Sequence, residues 1–169
     1  LVSLANFNGS MNLGYNPNSG VITSDGGLKV LCRGIYDSIN PSNNAESSLS
    51  NINQYTNEVY STDNLSGIYN AQNLISNYDN SNCYFTAVGG VYRISPNTLN
   101  INSIVSVNAS TINAIVESFA VNDSTMVYYK MLYMNDTDNP NSIYKYNLDL
   151  SLFIDTIIVD GNVRDINFY

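Results

Sequence analysis

The second half of the chain alternates apolar and polar residues with a period of two. In "LNINSIVSV", Leu99, Ile101, Val105 and Val107 fall on one face and Asn100, Asn102, Ser106 and Asn108 on the other. That spacing is the mark of a half-buried strand. In "MVYYKMLYM" one face reads Val127, Tyr129, Met131 and Tyr133, and β-branched or aromatic residues recur in "SIYKYNL", "FIDTIIV" and "DINFY". Such side chains suit a pleated surface. Between the runs lie Gly89-Gly90, "SPN" at 95–97, "NDTDNPN" at 135–141 and Asp160-Gly161-Asn162, residue types that accept turn conformations. The pattern predicts five to seven strands after residue 83.

Residues 42–79 carry a different spacing. Leu49, Ile52, Tyr55 and Val59 repeat near a helical period, as do Leu65, Ile68, Tyr69 and Ile75, and Asn43 with Glu46 has the form of a capping box. One short helix within 43–60 is therefore expected, with a long decorated loop as the alternative, because Asn, Ser and Thr are indifferent helix formers. "TINAIVESFA" fits helix or strand. The opening "LVSLANFNGSMNLGY" suits either the first strand of the domain or a strand donated to an open sheet edge.

The chain also repeats itself. "GGVYRISPNTLNINSIV" at 89–105 aligns with "NSIYKYNLDLSLFIDTII" at 141–158 at a spacing of about fifty residues, near the length of one propeller blade. With Tyr92, Arg93, Tyr144 and Lys145 at matching places, residues 83–169 resemble the YVTN or kelch-type β-propeller repeats. The resemblance implies blades of antiparallel hairpins. A whole propeller needs at least four blades, about 160–200 residues, and residues 1–80 lack the pattern. The expected fold is thus mainly β in a single domain, residues 1–169: an antiparallel β-sandwich first, propeller-like hairpin repeats second. The first residue is Leu, so a piece of a longer chain is among the expectations.

Composition narrows the function. Of 169 residues, 44% are hydrophobic, enough to build a core. Only 12% are charged, and 29 Asn and 21 Ser carry the polarity instead. Fourteen acids against six bases give a net charge of −8. That field repels phosphates and anionic lipid, which argues against nucleic acid as a partner. No run approaches the ~20 apolar residues of a membrane-spanning helix, so no membrane insertion is expected. Acidity with a neutral polar excess suits an extracellular or virion surface.

Candidate chemistry is sparse. The chain has no histidine, which removes Ser-His-Asp and Cys-His systems, and it contains no phosphate-cradling glycine motif. Three Glu and eleven Asp leave a carboxylate pair for glycoside hydrolysis as the remaining catalytic option. Asp136, Asp138 and Asn141, in the loop 135–141, form a candidate calcium site, since calcium takes oxygen ligands from acids and amides. An Asx-rich hairpin turn is the simpler reading, and no cofactor is otherwise expected. Cys32 and Cys83 close a loop of about fifty residues; a disulfide there would contribute about 4 kcal/mol, and two buried thiols in separate strands are the alternative. Sequons at Asn8, Asn64, Asn108, Asn122 and Asn135 are candidate glycosylation sites, although 29 Asn among these Ser and Thr residues produce about five by chance. Fourteen tyrosines predict an aromatic ladder, with Tyr129 and Tyr133 inside, Tyr128 outside, and Tyr144 and Tyr146 across from them.

These readings point to a non-enzymatic structural subunit of an extracellular or virion surface assembly, such as a capsid, tail, pilus or envelope component, whose partners are itself or other surface proteins. A receptor- or carbohydrate-binding adhesin module is the alternative, and a glycoside hydrolase the third.

Overall fold

The computed structural model describes residues 12–77, 79–106, 112–122, 127–136, 138–164 and 166, with the backbone alone for 112–122, 127, 128 and 136. Among the described residues, twelve strands form three four-stranded antiparallel sheets, each made from one contiguous stretch of chain. The first holds β1 (Pro17–Ile22), β2 (Leu28–Cys32), β3 (Ser48–Ile52) and β4 (Val59–Asn64). The second holds β5 (Gln72–Ser76), β6 (Cys83–Ala87), β7 (Gly90–Ser95) and β8 (Asn100–Ser106). The third holds β9 (Ile112–Asn122), β10 (Val127–Asp136), β11 (Ser142–Asn147) and β12 (Leu152–Ile158). In every sheet the strands neighbour one another in chain order. The fold is mainly β and antiparallel, with seven strands among the described residues from Cys83 onward.

Alternation decides which side chains meet. Cys83, Phe85 and Ala87 on β6, with Tyr92 and Ile94 on β7, face the first sheet and pack on Leu31 and Leu49. Their neighbours Tyr84 and Val91 face the third sheet and pack on Leu132, Met134 and Tyr146. The middle sheet is buried on both faces, which is why β6 is buried along its whole length. The sheets approach most closely along their first strands, β1 against β5 and β5 and β6 against β9. Side chains of β1 reach the backbone of β5 there: Leu74 N–H donates to Ser19 Oγ (2.8 Å) and Asn73 N–H to Asn18 Oδ1 (3.2 Å).

The connection from β4 to β5 belongs to the core. Leu65, Ile68 and Ala71 are buried between the first two sheets. Buried Ser47 fastens this connection: its amide donates to Ile68 O, its carbonyl accepts from Leu65 N–H, and its hydroxyl accepts from Ala71 N–H while donating to Arg33 O.

Three expectations are corrected. No helix lies within 43–60: Ser48–Ile52 is strand β3, and Pro41–Asn43 makes one 3-10 turn. Leu49 and Ile52, three apart, point to opposite faces, and both faces are covered. Glu46 caps nothing at Asn43; its Oε1 accepts the Gly67 amide at 2.7 Å. The ambiguous "TINAIVESFA" contributes to strand β9. Finally, Leu99, Ile101 and Val105 do not share a face. The register slips between Val91 and Tyr92, whose partners are Val105 and Ser103. A bulge at Ile104 therefore sends Leu99 and Ile101 to the first interface and Val105 to the second. Val107 and Asn108 lie outside the described residues.

Candidate functional site

Two turns of the first sheet frame a cavity. In the β1–β2 turn, Asp25 Oδ1 accepts the Thr23 hydroxyl at 2.6 Å and the Gly27 amide at 3.0 Å. These bonds hold its carboxyl below the usual carboxylate range, with Thr23 the larger cause and Lys29 adding attraction through space. In the β3–β4 turn, Asn53 Oδ1 accepts the amides of Tyr55 and Thr56 at 2.8 and 3.2 Å, an Asx turn that thrusts Tyr55 into solvent. Between the turns lies a cavity of 320 Å³ whose lining includes Asp25, Lys29, Asn51, Gln54, Tyr55 and Tyr60. An adjoining cavity of 330 Å³ shares Asp25, Lys29 and Asn51 and adds Ser61, Asp63 and the β7–β8 turn of the second sheet.

Lys29 and Asn51 are the unusual members. Lys29 is only 9% exposed, and among the described residues its ammonium has no hydrogen-bond or ion-pair partner. Asn51 donates through Nδ2 to Ser61 Oγ (2.7 Å) and Asp63 Oδ2 (2.8 Å), which fixes its orientation. Its Oδ1 is buried and accepts nothing. Tyr55 and Tyr60 stand at the rim, 87% and 68% exposed. Neither Lys29 nor this pair of tyrosines was singled out from sequence. The "DGGLK" and "NQY" turns were the available signal, and only folding shows that they face one space.

The second feature is strand β12, an edge of the third sheet with all seven residues exposed. Five of them are large and apolar: Leu152, Phe153, Ile154, Ile157 and Ile158. Among the corresponding last strands of the other sheets, β4 exposes Tyr60 alone of its large apolar residues and β8 exposes none. The charge in β12 is Asp155, whose Oδ1 accepts the Thr156 amide at 2.8 Å and whose cross-strand neighbour is Lys145.

The sequence-derived candidates are dispersed. Cys32 and Cys83 are both buried free thiols, on β2 and β6, the second of the two alternatives. Burial pushes the Cys83 thiol up to about 11. Of the calcium candidates, Asp138 and Asn141 are exposed in the β10–β11 hairpin, and the side chain of Asp136 lies outside the described residues. Among the described residues no three acids or thiols converge. Asn135, the sequon residue beside them, is fully buried and donates to Asn139 O (3.2 Å) and Ser142 O (2.8 Å), so its amide is unavailable to a glycan in the folded chain. Asn64 is exposed at the end of β4. Asn8 and Asn108, and the side chain of Asn122, lie outside the described residues, as do residues 1–11 of the opening segment. Gly14, which follows them, lies on Cys32 and Ser48 of its own first sheet. Tyr144 and Tyr146 do form a ladder, but with Phe153 of β12, at centroid distances of 6.2 and 5.1 Å. Tyr133 instead pairs with Lys145 and lies under its ammonium. The side chain of Tyr128 lies outside the described residues.

No protein-family model and no curated protein matches the chain.

Proposed function

We propose that this protein is a non-enzymatic structural subunit of an extracellular or virion surface assembly, and that it assembles by pairing β12 with β12 of a second copy. The observation that carries the reading is the character of that edge. An edge strand presents unpaired backbone groups, and soluble proteins ordinarily blunt such strands with charge, proline or cover. β4 carries Asp63 and exposes one large apolar residue, and β8 exposes none, whereas β12 spends five of seven positions on exposed large apolar side chains. An antiparallel pair about a two-fold axis near Asp155 sets Leu152 opposite Ile158 and Phe153 opposite Ile157, a self-complementary match. Low charge across the chain and its Asn- and Ser-rich polarity suit a surface exposed outside cells.

The three sheets are, in this proposal, successive propeller-like blades. Each is a four-stranded meander, their first strands converge, and the repeated segments at 89–105 and 141–158 supply the third and fourth strands of the second and third sheets.

Sedimentation velocity across a concentration series tests the assembly. The wild-type chain is expected to self-associate, and Ile154→Lys/Ile158→Lys to remain a folded monomer with unchanged circular dichroism. A wild-type chain that stays monomeric throughout the series would overturn the reading.

A further inference from the structure

We infer that the cavity between the β1–β2 and β3–β4 turns is a binding site for an uncharged saccharide, a function separate from assembly through β12. The lining of this space carries an ammonium that is open to a ligand. Lys29 and Asn51 line the same two adjoining cavities; the Lys29 ammonium has no hydrogen-bond partner among the described residues, and a polar group left unmet costs free energy. Lys29 supplies N–H donors only, and Asn51 Oδ1 is an acceptor only. A hydroxyl accepts from the ammonium, and the further hydroxyls of a polyol suit the carboxylate and amide side chains of Asp25 and Gln54 in the same lining.

The rim supplies the other half of sugar recognition. Tyr55 and Tyr60 present exposed rings at the mouth, and aromatic faces pack on the C–H surfaces of a pyranose while their hydroxyls remain in water. Gln54 adds an amide able to donate and accept. A cavity of 320 Å³ with the 330 Å³ space beside it falls in the range of small-molecule sites.

Charge selects the class. Lys29 faces Asp25 in the first cavity and Asp63 in the second, so the local balance is already negative, on a chain of net −8. An anion would meet that surplus, whereas a neutral sugar does not.

Saturation-transfer difference NMR on the whole chain tests this with methyl α-galactoside, N-acetylglucosamine and lactose as probes, and with N-acetylneuraminic acid and inorganic phosphate as anionic controls. Phosphate is followed by its phosphorus linewidth. Transfer to the ring C–H protons of at least one neutral sugar is expected. It should vanish in Tyr55→Ala/Tyr60→Ala, where exposed side chains are removed without touching the core. It should weaken about tenfold in affinity in Lys29→Met, the order of one charge-assisted hydrogen bond. No response from any neutral sugar, meaning water alone fills the cavity, overturns the inference. So does transfer that survives both variants, or a Lys29-dependent response to the anions without one to the sugars. Self-association is read separately, so failure here leaves the assembly proposal untouched.

Discussion

Lys29 serves the cavity more than the fold. Its ammonium lines the cavity without a hydrogen-bond partner among the described residues and attracts Asp25 only through space. Lys29→Met is expected to change stability by less than about 1 kcal/mol in thermal or urea unfolding. A larger fall would show that the ammonium holds the first sheet together. Asn135 is the opposite case. Its two donated bonds tie the β10–β11 hairpin, and Asn135→Ala should cost about 1–3 kcal/mol by removing the buried bond to the Ser142 carbonyl. Cys83 makes a third case: with its thiol raised to about 11 by burial, little thiolate exists at neutral pH. Iodoacetamide should therefore label it far more slowly in the native protein than in urea, and equal rates would contradict the burial.

At the scale of elements, the tight corner between β6 and β7 is set by one residue. Gly90 has φ of +143°, and a Cβ there would lie 1.9 Å from the carbonyl oxygen of Val105. Gly90→Ala must push β8 off β7, and a loss of about 2–4 kcal/mol is expected from backbone strain with lost ladder bonds. Strands of this half were legible because alternation and Gly/Asn punctuation agree there, as in "NCYFTAVGGVYRIS". The bulge at Ile104 was not legible, since a bulge inserts a residue without changing composition and so reverses the faces beyond it. β3 was misread for a related reason. Leu49 and Ile52 are spaced like helix neighbours, but a strand covered on both faces buries them equally well. The cavity could not be found locally either, because its lining comes from two turns and three strands that are apart in sequence.

For the whole molecule, acid should be destabilising in a defined window. Asp25, Asp37 and Asp79 each accept hydrogen bonds from nearby groups, led by the Thr23 hydroxyl, the Asn40 amide and Ser81 respectively, and each carboxyl lies below its ordinary 3.8. Groups with a depressed folded pKa contribute fully above the unfolded value and lose that contribution as pH falls through the folded one. Urea midpoints should thus be flat from neutrality down to about pH 5 and decline below about pH 4; a midpoint that rises on acidification would contradict these turns.

The covered passage between the first and second sheets has a practical consequence. Topology divides the described residues into three four-stranded modules, and a protein engineer would cut between them. Yet Leu65, Ile68 and Ala71 place the seam itself in the interior, and Ser47 of the first module holds it there. Excising one module at 64 or 71 would expose the inner wall of its neighbour, so the repeat that can be counted is smaller than the unit that can be expressed alone.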